Sequence, residues 1–198
     1  ISNRSSGKMG YALAEAAQAR GAEVLLVSGP TALTPPAGVE LCPVTTAEEM
    51  RKAVISRFSW SDTVIMAAAV ADFRPTQPAA QKLKKRRSPV TSLELSPTDD
   101  ILRELGERRT TQVLVGFAAE TEDLLAHARE KLQAKGVDLL VANDVTAAGS
   151  GFGSDTNRVF ILDRDGRAEE LPLLPKREVA DRILDRLLTL PPGRRWTK

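Results

Sequence analysis

Three short stretches hold the residue types that could do chemistry. "ISNRSSGKMG" (1–10) sets Asn3, Ser5, Ser6 and Gly7 directly before a helical pattern. "AAAVADFRP" (67–75) puts Ala68, Ala69 and Asp72 after an apolar run, and "KLKKRR" (82–87) concentrates five bases, beginning with Lys82. Unpaired N–H groups and the dipole at a helix start favour an anion. Ser5, Ser6 and the amides near Gly7 supply those donors, and the Asn3 amide could reach an oxyanion. A plain serine-glycine helix cap accounts for the same residues equally well.

The opening loop is neither of the common glycine-rich motifs. A Walker loop needs glycine where Ser2 stands and Ser or Thr where Met9 stands. Ser5, Gly7 and Gly10 have dinucleotide-fingerprint spacing with the first glycine replaced. The acidic residue that should follow the second strand is absent, because "LLVSGP" ends in Ser28 and Gly29. Tyr11 is followed four residues later by Glu15 rather than lysine, which argues against a reductase.

Composition narrows the classes. The 198 residues are 42% hydrophobic and 27% charged, enough for one globular domain with its own core. No apolar run approaches the ~18 residues a membrane helix requires, and no secretion signal opens the chain, so a cytoplasmic protein is expected. One cysteine (Cys42) and one histidine (His127) leave no disulfide and no zinc cluster. The basic run holds five of 28 bases, so the rest of the chain carries 23 against 26 acids. A nucleic-acid surface would spread its charge and interleave aromatics, and this chain has few.

The elements that must position these residues follow from periodicity. Helices are expected from Lys8 to a left-handed cap at Gly21, from a Thr46–Glu49 capping box toward Phe58, over "TDDILRELGER", from about 121 to 135, and over "KREVADRILDRLL". "EVLLVSG", "TVIMAAAV" and "QVLVGF" read as fully buried strands. "VELCPV", "TSLELS" and "VDLLVAN" read as further strands, and residues 158–174 as a hairpin turning at Asp165-Gly166. Strands alternating with helices imply a Rossmann-like three-layer α/β sandwich with a mostly parallel sheet, plus a C-terminal hairpin and helix. One domain over 1–190 and a tail over 191–198 are expected. In such sheets ligands bind at the carboxyl ends of the strands.

Six ordered motifs, "ISNRSSGKMG", "AAAVADFRP", "KLKK", "VGFAAET", "KGVDLLVANDV" and "GFGSDTN", together resemble the phosphopantothenate-cysteine ligases, bacterial CTP-dependent type. The resemblance runs from Ile1 to about Asn157. It implies two steps: the phosphopantothenate carboxylate attacks the α-phosphate of CTP, releasing pyrophosphate, and the cysteine amine then displaces CMP from the acyl-cytidylate. It implies Asn3 and Lys82 as catalytic residues, Lys82 closing on the triphosphate from a proline- and lysine-rich loop. Substrate would meet Asn3, Ala68, Ala69 and Asp72. The nucleotide would meet Ser5, Ser6, Gly7, Asp72, Lys82, Asp99, Asp100, Ile101, Leu102, Phe117, Lys131 and Lys135. Thr98 fits the family's stretch here, whereas Asp99 departs from its proline. Mg²⁺ would accompany CTP, with no metal ligands assigned and no flavin on this domain. A homodimer and an upstream flavin-dependent decarboxylase domain are further implications. The family also carries a glycine-rich strand-turn before the "ISN" segment, so a first strand is expected upstream of Ile1. A non-enzymatic nucleic-acid-binding domain and an NAD(P)-dependent reductase are the alternative readings.

Overall fold

Apolar runs rich in β-branched residues and amphipathic runs alternate along the chain, and the computed structural model resolves them into strands and helices in the same order. It describes residues 3, 5–79, 81, 92–120, 124–144, 149–150 and 153–190. In chain order these form α1 (Lys8–Ala19), β1 (Leu25–Ser28), β2 (Glu40–Pro43), α2 (Ala47–Arg57), β3 (Thr63–Met66), β4 (Phe73–Pro75), β5 (Leu95–Pro97), α3 (Ile101–Arg108), β6 (Val113–Glu120), α4 (Leu124–Lys135), β7 (Leu139–Asp144), β8 (Thr156–Asp163), β9 (Ala168–Pro175) and α5 (Lys176–Leu188).

The main sheet has the order β3-β6-β7-β8-β9. β3, β6 and β7 are parallel, while β8 and β9 run antiparallel as the expected C-terminal hairpin. Period-two alternation sorts its side chains. Val113, Val115, Leu139, Val141, Val159 and Ile161 pack with α1 and α5, and Leu114, Leu140 and Leu162 pack on the other face with α3 and α4. β1 and β2 form a separate parallel pair, and β4 and β5 an antiparallel ribbon.

Local chemistry sets the ends. Thr46 and Glu49 complete a capping box on α2, Asp100 caps α3 by accepting from the Arg103 N–H, and Gly21 takes φ 86 after α1. At the β8–β9 turn, Asp163 Oδ1 accepts from the Asp165 and Arg167 N–H groups at 3.0 Å each.

One expectation is corrected. The "EVLLVSG" and "TVIMAAAV" strands were expected to be fully buried, yet every residue of β1 and of β3 is only half-buried. Among the described residues each pairs on one side only, β1 with β2 and β3 with β6, and their other edges flank a cavity.

Buried charges sit at the amino end of β7. Asp138, 2% exposed, accepts from Arg109 Nη1 at 2.7 Å and from the Leu114 N–H at 2.9 Å, with Arg164 Nε at 3.5 Å. Removing one partner strands a buried charge, so Asp138→Ala should destabilise by about 3–5 kcal/mol in urea unfolding. Asp138→Ala/Arg109→Leu should cost less than the sum of the single changes, because the two side chains touch.

Gly106 supplies an opposing-effects test. A Cβ there would lie 2.5 Å from the Lys135 carbonyl oxygen, where α3 meets the end of α4. Helix propensity favours alanine by about 1 kcal/mol, whereas forcing backbone apart costs about 1–3 kcal/mol. Gly106→Ala should therefore lower the thermal midpoint despite its better propensity.

Candidate functional site

The carboxyl ends of β1 and β3 open into a cavity of about 1150 Å³. Asn3, Ser5, Gly7, Thr31, Ala68 and Ala69 are among the residues at its mouth. These come from three loops, and specific bonds hold the loops together. Asn3 Nδ2 donates to the Val70 carbonyl at 3.1 Å, tying the opening segment to the loop after β3. Thr31 Oγ1 donates to the Ser6 carbonyl at 3.1 Å, tying the loop after β1 to the start of α1.

The α1 start is arranged for donation. Gly7 is its N-cap at φ 76, a conformation that favours glycine. A Cβ there would come within 3.4 Å of Thr31 Oγ1. Ser5 Oγ accepts from the Gly7 N–H at 3.3 Å and Ser6 Oγ from the Lys8 N–H at 3.5 Å. The Met9 and Gly10 N–H groups have no acceptor within the helix and add to the positive end of its dipole. Capping by the serines and a donor-rich helix start are thus both present.

Lys8, in the position that suggested a phosphate loop, is committed elsewhere. Its Nζ donates to Asp155 Oδ1 at 2.7 Å and to the Gly153 carbonyl at 3.1 Å. Those bonds join "SSGK" to "GFGSD", two motifs 145 residues apart. The Lys8 ammonium holds the Asp155 carboxyl below its ordinary pKa. Behind them Lys176, 6% exposed, donates to the Ser154 carbonyl. Burial, and then the nearby Lys8 charge, push its ammonium pKa down.

The remaining predicted residues divide by place. Asp72 is exposed beside the mouth, and its carbonyl accepts from the Thr98 N–H at 2.8 Å, joining the "AD" loop to the stretch before α3. Asp99 is exposed nearby. A second group lies on α3, β6 and α4. Asp100 pairs with Lys135 Nζ, so the lysine's charge is met by the α3 cap. Ile101 is 3% exposed and Leu102 packs against the core beside Gly116, which leaves their backbones as the parts able to meet a ligand. Phe117 is half-buried against the α1 and α5 face, and Lys131 is exposed on α4. This second group does not line the cavity. Lys82 lies outside the described residues.

Sequence reasoning missed Thr31 and the Lys8–Asp155 tie. Thr31 sits in a proline-flanked loop with no motif of its own, and the Lys8 pairing spans loops that only the fold brings together. Another fastening was equally hidden: Ser150 Oγ lies 2.9 Å from Asn157 Oδ1 and 3.2 Å from Asn143 Oδ1, so the far end of the same loop is bound to β7 and β8. Among the described residues no group of three His, Cys, Asp or Glu side chains could hold a metal ion, and no helix is long and apolar enough to cross a membrane.

Residues 1–190 match the family model described as the DNA/pantothenate metabolism flavoprotein C-terminal domain. The chain is 53% identical over 191 residues to the coenzyme A biosynthesis bifunctional protein CoaBC of Bacillus subtilis (strain 168), covering 96% of this chain and 47% of that protein. It therefore spans about half the length of that curated relative. A crystal structure of the C-terminal domain of a CoaBC protein superposes with a TM-score of 0.80 at 44% identity, over 94% of this chain and 84% of that one. The fold also matches the Cab2 mutant H337A in complex with phosphopantothenate-cysteine, with a TM-score of 0.74 at 19% identity over 94% of this chain and 79% of that one. The chain belongs to the family of the DNA/pantothenate metabolism flavoprotein C-terminal domain.

Proposed function

We propose that this chain is the ligase half of a coenzyme A biosynthesis protein, joining phosphopantothenate to cysteine at the expense of CTP. The observation that carries the reading is the cavity mouth, where Asn3 is bound to the loop of Ala68 and Ala69 and the α1 start is bound to the loop after β1. The family membership and the CoaBC relatives support it.

The physical problem is bringing a carboxylate to a triphosphate. The α1 start offers backbone donors and a dipole that favours anions without adding a titratable group. Asn3 offers an uncharged donor close to Ala68 and Ala69, whose small side chains let substrate approach the backbone. In the first step the substrate carboxylate forms a bond to the α-phosphorus and pyrophosphate leaves. In the second the cysteine amine adds to the acyl carbon, CMP leaves, and the amine gives up a proton. Mg²⁺ enters as part of the nucleotide substrate, neutralising phosphate charge, and Asp72, the exposed carboxylate beside the mouth, orients a ligand hydroxyl or a metal-bound water. Lys82 closes over the triphosphate and excludes water. Asp100, Ile101 and Leu102 through their backbones, and Phe117, Lys131 and Lys135, form the nucleotide side. Lys135 would then exchange its Asp100 partner for the ligand.

The same reading assigns a homodimer acting in the cytoplasm, with a flavin-dependent decarboxylase domain in the same polypeptide. Half-length coverage of the bifunctional relative supports that second domain.

Pyrophosphate release tests the reading. The full polypeptide with Mg²⁺ and phosphopantothenate should release pyrophosphate with CTP in preference to ATP, and should turn over repeatedly only when cysteine is added. No release with either nucleotide would discard the reading. Asn3→Ala and Lys82→Gln should each lower kcat by about 100-fold or more, the scale of losing one transition-state donor.

A further inference from the structure

Two neighbouring helices begin with a lysine, the residue type that a helix start disfavours. Lys8 opens α1 and Lys176 opens α5, so each ammonium stands at the positive end of a dipole. The helices pack on the same face of the sheet, and the Lys8 charge acts unfavourably on the Lys176 ammonium. Lys176 is also 6% exposed, and burial strips an ammonium of its hydration. Local structure explains neither lysine, so the reason lies in what they hold.

They hold one short segment of main chain. Lys8 Nζ donates to the Gly153 carbonyl at 3.1 Å, the Lys176 ammonium to the Ser154 carbonyl, and the Lys176 N–H to the Asp155 carbonyl at 2.9 Å. Three successive carbonyls are thus taken by two lysines. The Asp155 carboxylate adds its ion pair with Lys8, but that side chain is 89% exposed, and a pair so open to water adds little stability. The arrangement fixes a place more than it adds stability.

That place lies between the two groups of predicted residues that the cavity does not join. Ser150, three residues before Gly153, bonds Asn143 at the carboxyl end of β7, and β7 pairs with β6, where Phe117 stands opposite Val141. Gly153 and Asp155 are bound to Lys8, the residue after Gly7. We infer that Lys8 and Lys176 are positioning residues for the nucleotide, seating residues 153–155 so that the α1 donors and the Phe117 side of the sheet stand at the spacing one triphosphate nucleotide needs. This inference rests on the ligase reading. Neither lysine need touch the reacting atoms.

The test uses the full polypeptide with Lys8→Met, Lys176→Met and Lys8→Arg. It reads kcat and the KM for CTP and for phosphopantothenate in pyrophosphate release, CTP affinity by calorimetry, and the thermal midpoint. Each methionine variant should raise the KM for CTP and weaken CTP binding by about tenfold or more, the scale of one lost charge-assisted hydrogen bond. The KM for phosphopantothenate should stay within about twofold, because only the nucleotide spans the two groups. Lys8→Arg, which keeps a donor and its charge, should recover most of the loss. Lys8→Met/Asp155→Asn removes the unpaired carboxylate without restoring the hold on Gly153, and should keep the raised KM. Its return to the wild-type KM would overturn the inference and leave charge alone as the cause. A lower midpoint with both KM values unchanged, or both KM values raised together, would overturn it in favour of a merely structural tie. A wild-type polypeptide that neither releases pyrophosphate nor binds CTP fails the ligase reading and this inference with it, whereas an active wild type with unchanged variants overturns this inference alone.

Discussion

A buried main-chain N–H or C=O group must find a partner, and this requirement organises the molecule. β6 and β7 meet it on both sides: β6 pairs with β3 and β7, and β7 with β6 and β8. Val115 and Val141 there are wholly excluded from solvent. Among the described residues β1 and β3 meet the requirement on one side only, and although their sequences are as apolar as that of β6, they remain half-buried. Burial depth in these strands therefore tracks the number of paired edges rather than strand hydrophobicity.

The two ends of the sheet solve their electrostatics differently. At the amino end of β7, carboxylates are buried and neutralised by arginines, Asp138 by Arg109 and Arg164, and Asp163 by Arg186. Such pairs are costly to break, and they fix one arrangement of α3, β7 and the β8–β9 turn. The cavity mouth at the carboxyl end is lined instead by hydroxyls, amides, glycine and alanine. A polyanion arriving there meets dipoles that can be satisfied without first displacing a buried carboxylate. Asp155, which pairs with the first residue of α1, is already held by Lys8.

Short-range features were legible in the sequence because they depend on neighbours in the chain. The Thr46–Glu49 box, the left-handed Gly21 and the turn at Asp165-Gly166 all stand where spacing put them. The α/β order was legible for the same reason, since each strand and helix carries its own period. β4 was not foreseen, because Phe73–Pro75 is three residues long and becomes a strand only by pairing with β5. Lys135 was expected, from the resemblance, to meet the nucleotide. Its pairing with Asp100 depends on the close approach of α3 to α4 that Gly106 permits, a distance no periodicity encodes. For the candidate site, the motifs singled out Asn3, Ala68 and Ala69 for substrate and Ser5 and Gly7 for nucleotide, and the fold lines one cavity with all five. The bonds that fasten their loops, through Thr31 and Lys8, left no local trace.

The cavity lies between the loops that carry the candidate site, and that placement has a mechanical consequence. Thr31 follows β1, whereas Ala68, Ala69 and Val70 follow β3, so the candidate site draws its residues from both sides of the cavity. The Asn3–Val70 bond belongs to the β3 side and the Thr31–Ser6 bond to the β1 side, and the segment that leads into α1 makes both. The placement of the α1 donors against the Ala68–Ala69 loop and the fastening of the two loops therefore cannot be altered independently.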